Sequence, residues 1–122
     1  MNLSITKQFR FEAAHSLPNH DGKCRNLHGH SYLLEVTVSG IAAKSGPKEG
    51  MIMDFGDLSK IVEAEIVSKW DHRFLNDLLP FATTSENLAA ECFRRLDAAG
   101  LSVARIRLWE TAKAYADAEA VR

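Results

Sequence analysis

The sequence contains few cysteines and no long apolar run, and neither sign of charge is in excess. Only two of its 122 residues are cysteine, and the N-terminus lacks the apolar core of a signal peptide, which predicts a cytoplasmic protein with reduced thiols. No apolar stretch approaches the roughly 20 residues that span a bilayer, so no membrane association is expected. Fifteen basic and sixteen acidic residues, without a basic stripe, argue against a nucleic-acid partner.

The sequence also lacks linkers and repeats, which predicts a single domain over residues 1–122. Residues 2–16 and 29–40 alternate between apolar and polar side chains and are predicted to be long strands. Residues 101–111 form a third predicted strand. Residues 112–120 are rich in alanine, which favours a helix, but their strict alternation favours a fourth strand that would complete the sheet.

Two central segments show the apolar spacing of amphipathic helices. The first is predicted to begin at Asp54 or Asp57, and its apolar stripe is Leu58, Ile61, Val62, Ile66 and Trp70. The second is predicted to begin with a capping box from Thr83 to Glu86 and to end at Gly100. Its apolar stripe is Leu88, Ala89, Cys92, Phe93 and Leu96, so Cys92 is interpreted as inert packing.

The resulting fold class is α+β, with elements in the order ββααββ: a four-stranded antiparallel sheet with two helices on one face. A first strand of about fifteen residues would extend about 50 Å, whereas a compact chain of this length has a radius of gyration near ~14 Å. A sheet of this kind leaves two bare edges and one uncovered face. Closure into a β-barrel of several chains would remove them, so an oligomer is predicted.

Three histidines lie at the facing ends of the first two predicted strands. His28 and His30 point to the same side of the second strand, and His15 ends the first. If the strands pair antiparallel, the three imidazoles meet on one side, which predicts a Zn²⁺ site. The alternative is a set of hydrogen-bonded core histidines. Lys7 interrupts the apolar face of the first strand, and a bulge near it would reset the alternation.

Cys24 lies in the polar loop four residues before His28, between Lys23 and Arg25. This electropositive setting favours a thiolate, which is the nucleophilic and basic form of cysteine. Two alternatives stay open: Cys24 is a fourth zinc ligand, which would close the site and indicate a structural metal, or it is an idle surface thiol.

Three further residues are candidates for acid–base chemistry or ligand binding. Asp71 and His72 follow the first helix, and because adjacent residues do not face each other in a helix or strand, Asp71 can orient His72 only through a turn. The alternative is a histidine at a helix C-terminus beside a solvated acid. Glu110 ends a run whose face should be buried, so its carboxylate needs donors such as an amidine-like ring edge; alternatively it turns outward at a fraying strand end.

Taken together, these motifs resemble the 6-pyruvoyltetrahydropterin synthase family over nearly the whole chain. The motifs are Phe9-Arg10-Phe11-Glu12-Ala13-Ala14-His15, Cys24 with His28-Gly29-His30, Met53-Asp54-Phe55, Asp71-His72, Thr84-Ser85-Glu86-Asn87 and Glu110-Thr111. The three residues between Cys24 and His28 resemble the bacterial branch of 6-carboxytetrahydropterin synthases in the queuosine pathway, because the pyruvoyl enzymes have a longer gap.

The resemblance implies a tunnelling fold (T-fold) in which three subunits close a twelve-stranded barrel and two rings stack into a homohexamer with sites between subunits. It further implies zinc on His15, His28 and His30, with Cys24 as general base. Asp71 and His72 would be its relay and Glu110 would grip the pterin ring, while Thr84 and Glu86 would contact the substrate.

The implied substrate is a small-molecule pterin, 7,8-dihydroneopterin triphosphate, converted by a carbon–carbon lyase to 6-carboxy-5,6,7,8-tetrahydropterin with loss of acetaldehyde and triphosphate. Two alternatives stay open. One is elimination of triphosphate alone, which gives 6-pyruvoyltetrahydropterin. The other is a non-catalytic module in which zinc only stabilises the sheet.

Overall fold

A five-stranded sheet organises the protein, whose computed structural model describes residues 1–121. The strands are β1 (Leu3–His15), β2 (His28–Gly40), β3 (Arg73–Phe74), β4 (Val103–Thr111) and β5 (Ala114–Glu119), arranged in the order β3-β1-β2-β4-β5. All neighbours pair antiparallel except β1 and β3. The α+β class is therefore as predicted. The alanine-rich segment, whose composition favours a helix and whose alternation favours a strand, forms the strand β5.

The period of two along the long strands separates a core face from an open face. The core-facing side chains include Phe9, Phe11, Ala13, Tyr32, Leu34, Val36, Val38, Ile106 and Leu108, all buried. The helices pack on this side of the sheet, as predicted. The sequence does not predict β3, which consists of two residues pairing with Ala13 and Ala14, so the predicted count of four strands is wrong by one.

The first predicted helix is interrupted by a π-helical turn. It consists of α1 (Phe55–Val62), a π-helical turn (Glu63–Val67) and α2 (Ser68–Trp70), and Asp54 caps it by accepting two backbone N–H bonds. Its fully buried residues recur every four positions at Leu58, Val62, Ile66 and Trp70. A regular helix of 3.6 residues per turn would rotate this series away from the sheet, and the wider π turn brings it back.

The second predicted helix, α3 (Ser85–Ala98), begins one residue later than the capping box predicts. Its N-cap is Thr84, whose hydroxyl accepts the N–H of Asn87. Thr83 is fully buried and both of its oxygens lie near the His15 ring, so it is not free to cap the helix. The helix ends as predicted before Gly100, which has a φ of 96° that favours glycine.

No bulge occurs near Lys7, so a reset of the alternation does not account for its position on the apolar face. The pairing of β1 with β2 runs without a shift from Leu3 opposite Gly40 to His15 opposite His28. Lys7 stays on the core side, where its ammonium donates to Ser59 Oγ at 2.5 Å. In residues 1–121, no helix is long and apolar enough to cross a membrane.

Candidate metal centre

The three histidines of the sequence prediction meet at one end of the β1–β2 pair. The antiparallel register places His15 opposite His28 and Ala13 opposite His30, so the three rings project from the same side. Their ring centroids are 4.5 Å, 4.9 Å and 5.1 Å apart, and one nitrogen from each ring lies within 4.8 Å of the others. This group can hold a metal ion, and three imidazole ligands leave room for a further ligand.

Hydrogen bonds at the back of two rings direct the lone pairs of Nε2 toward the centre. Nδ1 of His15 lies 2.8 Å from the carbonyl oxygen of Thr83, and Nδ1 of His28 lies 2.7 Å from that of Asn26. Carbonyl oxygens only accept, so each Nδ1 carries the proton and each Nε2 is left as the metal-binding atom. In residues 1–121, the buried Nε2 atoms of His15 and His30 have no hydrogen-bond partner.

This pattern fits a metal site better than a hydrogen-bonded core. Buried polar nitrogens are nearly always paired, and two unpaired ones facing a common centre are explained by a shared cation. Burial lowers the pKa of both His15 and His30, partly offset by the carboxylate of Glu110. Both rings are therefore neutral near pH 7, which is the form that binds a metal.

Glu110 faces the histidines rather than turning outward. It lies near the end of β4, where its Oε2 accepts a 2.8 Å hydrogen bond from the hydroxyl of Ser85 at the start of α3. Its Oε1 lies 3.6 Å from Nε2 of His30. The carboxylate is thus held by one oxygen and presents the other beside the metal centre.

Asp71 and His72 form a second pair, oriented through a turn as the sequence requires. His72 has a φ of 60°, a left-handed conformation that is uncommon outside glycine and often marks functional sites. This turn brings its Nδ1 to 3.0 Å from Oδ1 of Asp71. The same oxygen accepts the backbone N–H of Glu12, which lowers the pKa of Asp71. A cleft of about 450 Å³ is lined by both His72 and His30.

The remaining predicted residues belong to neither of these two groups. Cys24 is half-buried in a single 3-10 turn, Lys23–Arg25, and is not among the His/Cys/Asp/Glu residues of the described chain whose donor atoms converge on the metal centre. The reading of Cys24 as a fourth ligand therefore lacks geometric support. Thr84 is the N-cap of α3, and Glu86 is exposed in its first turn.

The roles of three polar residues near the candidate site do not follow from the sequence patterns. Thr83 and Ser85 lie on either side of Thr84, the observed N-cap of α3, and each bonds to a site residue, His15 and Glu110 respectively. Asn76 joins Thr83 and the backbone of Ser16. The only local signal is the pair of threonines at 83 and 84, of which just one can cap the helix.

Comparison with known proteins gives a consistent result. Residues 4–120 match the family described as 6-pyruvoyl tetrahydropterin synthase. A 6-carboxy-5,6,7,8-tetrahydropterin synthase of Haemophilus influenzae is 41% identical over 94% of this chain and 97% of its own length. A protein of the same name from Synechocystis is 46% identical over 80% of this chain and 77% of its own length.

Solved structures show the same architecture. The 6-pyruvoyl tetrahydropterin synthase of Caenorhabditis elegans superposes with a TM-score of 0.83 at 26% identity and covers 99% of this chain and 97% of that one. The Plasmodium falciparum protein of that name has a TM-score of 0.77 at 17% identity, covering 98% of both chains, and supports the fold alone.

Proposed function

Because this chain belongs to the 6-pyruvoyl tetrahydropterin synthase family, we propose that it is a zinc-dependent carbon–carbon lyase. It converts 7,8-dihydroneopterin triphosphate and water to 6-carboxy-5,6,7,8-tetrahydropterin, with release of acetaldehyde and triphosphate, in queuosine biosynthesis. The convergence of one ring nitrogen from each of three histidines, beside Glu110, is the observation that carries the proposal. The names of the curated relatives and the three-residue gap between Cys24 and His28 favour the carboxy product.

His15, His28 and His30 are the proposed zinc ligands. The neutral rings of His15 and His30 and the hydrogen-bonded Nδ1–H groups of His15 and His28 suit a borderline divalent ion, and three imidazole donors leave a coordination position for substrate. Zinc bound there supplies Lewis-acid activation of an oxygen on the substrate side chain.

Glu110 is the proposed anchor of the pterin ring. One carboxylate oxygen is held by Ser85, which fixes the plane of the group, and the other is available to accept N–H donors of the amidine-like ring edge. A ring fixed this way places its side chain toward the histidines, because Oε1 of Glu110 lies only 3.6 Å from His30. Thr84 and Glu86, at the same helix start, are proposed further substrate contacts.

Cys24 is the proposed general base, with Asp71 and His72 as its proton relay. Lys23 and Arg25 flank the thiol in the 3-10 turn, and Cys24 in its thiolate form would remove a proton from the substrate side chain. The lowered pKa of Asp71 keeps its carboxylate ionised, so it holds Nδ1–H of His72 and leaves Nε2 to exchange the proton.

We also propose that the chain works as a homohexamer. In residues 1–121, β3 covers only Ala13 and Ala14 of the outer edge of β1, which leaves most of that edge unpaired, and the outer edge of β5 is bare as well. Pairing these edges between copies would close the barrel that the sequence predicts. Multi-angle light scattering tests this, and a monomer at micromolar concentration would contradict it.

The activity test incubates purified, zinc-loaded protein with 7,8-dihydroneopterin triphosphate and identifies the products by mass spectrometry. Equal amounts of 6-carboxy-5,6,7,8-tetrahydropterin and acetaldehyde are expected. Accumulation of 6-pyruvoyltetrahydropterin without acetaldehyde would assign the chain to the reaction named for the nematode relative. Tight zinc binding without any turnover would instead support a structural metal.

A further inference from the structure

We infer that Asn76 is a positioning residue for the metal ligand His15, acting through hydrogen bonds to the two backbone segments that hold that histidine. The inference rests on the proposed function, since it assumes that the three histidines bind a metal. Asn76 lies in the 3-10 turn Leu75–Asp77, which follows β3. It is half-buried and does not itself contact the imidazole.

The side chain of Asn76 binds the peptide group immediately after the metal ligand. Its Oδ1 accepts the N–H of Ser16 at 3.0 Å, and its Nδ2 donates to the carbonyl oxygen of Ser16 at 2.8 Å. This two-point contact imitates the pairing of a neighbouring strand, at a place where β3 has already ended. The last residue of β1, His15, is thereby fixed on its C-terminal side.

The same amide oxygen also reaches the segment behind the imidazole. The hydroxyl of Thr83 lies 3.2 Å from Oδ1 of Asn76, as a donor, and 3.3 Å from Nδ1 of His15. The carbonyl oxygen of Thr83 accepts the Nδ1–H of His15 at 2.8 Å. His15, Thr83, Asn76 and Ser16 thus form a closed circuit of hydrogen bonds and covalent backbone.

His15 depends on this circuit more than His28 depends on its own support. The carbonyl that holds His28 belongs to Asn26, two residues earlier in the same loop. The carbonyl that holds His15 is 68 positions away in sequence and belongs to the segment leading into α3. Orientation of this buried ring therefore requires that two distant segments keep a fixed separation, and Asn76 is the side chain that links them.

A side chain that only stabilises the loop would also make these hydrogen bonds, but the two roles predict different effects of substitution. Loss of a purely stabilising side chain affects the stability of the fold. A positioning residue also changes the affinity and geometry of the metal site, because outer hydrogen-bond partners of ligating histidines fix the tautomer and the direction of the ring.

The test compares Asn76→Ala with Val62→Ala, a buried truncation in α1 that lowers stability without touching the circuit. Zinc affinity is measured by competition with a chromophoric chelator, and site geometry by the visible absorption of Co²⁺ bound to the same proteins. We expect Asn76→Ala to weaken zinc binding by about 10-fold or more and to shift the Co²⁺ bands. Val62→Ala should lower the melting temperature and leave both readouts unchanged.

Two further variants keep the test decisive if Asn76→Ala does not fold. Asn76→Asp retains the oxygen that accepts from Ser16 and Thr83 but loses the N–H that donates to the carbonyl of Ser16, so its zinc affinity should lie between those of Asn76→Ala and the unaltered protein. Thr83→Val removes the hydroxyl link but keeps the carbonyl that holds His15, and it should weaken zinc binding several-fold.

The outcomes separate the inference from the proposed function. If the unaltered protein binds neither metal, the proposed metal centre is wrong. If the unaltered protein binds zinc and those of Asn76→Ala and Thr83→Val that fold keep the same affinity and Co²⁺ spectrum, the positioning role of Asn76 is wrong and the proposed function stands. An equal loss of affinity in Val62→Ala would assign the effect to stability and overturn the inference.

Discussion

The response of thermal stability to zinc distinguishes an open metal site from one that Cys24 closes. The comparison uses three variants: His28→Ala removes a proposed ligand, Cys24→Ala removes the proposed base, and His20→Ala removes a histidine whose Nδ1 only accepts from Gly22 in the exposed loop. If the three histidines of the metal centre suffice, only the first variant should lose the response to zinc.

The size of the effect can be estimated from ligand linkage. Free zinc at about 100 times its Kd adds about 2.7 kcal/mol to the free energy of unfolding. A chain of 122 residues has an unfolding entropy of about 0.26 kcal/mol/K, so the melting temperature should rise by about 10 °C. If the loss of His28 weakens binding by about 100-fold, the gain falls to about 0.4 kcal/mol, or about 2 °C.

The assay is scanning calorimetry with buffered zinc on the metal-free proteins, with turnover of the pterin substrate measured in parallel. Cys24→Ala and His20→Ala should keep the rise of about 10 °C, and of these two only Cys24→Ala should lose turnover. A Cys24→Ala variant that no longer responds to zinc would show that the thiol is a ligand and refute the open site. A full response in His28→Ala would mean that zinc binds elsewhere.

Three other measurements probe the site and the fold. Ser85→Ala frees the carboxylate of Glu110 and should reduce kcat/KM by about 10-fold, the equivalent of one hydrogen bond to a charged group; unchanged kinetics would count against the anchoring role. Asp71→Asn should lower the melting temperature at pH 7. Because folding lowers the pKa of Asp71, this difference should shrink as pH falls below 3.8, and a difference independent of pH would contradict it. Leu96→Ala opens a cavity beneath α3 and should cost about 2–5 kcal/mol in urea unfolding, with a value under about 1 kcal/mol as the opposing result.

The parts of the structure that could be predicted are those that follow from the regular alternation of apolar and polar side chains. Alternation along two long strands is enough to bring His15 to His28 and His30, since antiparallel pairing fixes which ends meet. The same period identifies β5 although its alanines favour a helix, because cross-strand pairing with β4 outweighs a weak local propensity.

The parts that could not be predicted depend on contacts between distant residues. The choice between Thr83 and Thr84 as helix cap depends on His15. Thr83 is buried against the imidazole of His15, which leaves Thr84 to cap the helix. The strand β3 is only two residues long, too short to carry any periodic signal. Asn76 meets Ser16 across 60 positions, and no pattern in the intervening sequence indicates this.

The π-helical turn at Glu63–Val67 accommodates one residue more between Leu58 and Trp70 than a regular helix with the same buried face would hold. Each residue of a helix adds about 100° of rotation. Deletion of one residue in this segment would restore a regular helix and leave Trp70 within about 20° of the direction of Leu58, so Trp70 would stay in the core and Asp71 beside the backbone of Glu12. Natural relatives should therefore accept length changes in the loop at 42–50, and between residues 55 and 72 they should accept the loss of one residue, with a regular helix in place of the π turn, but not of two.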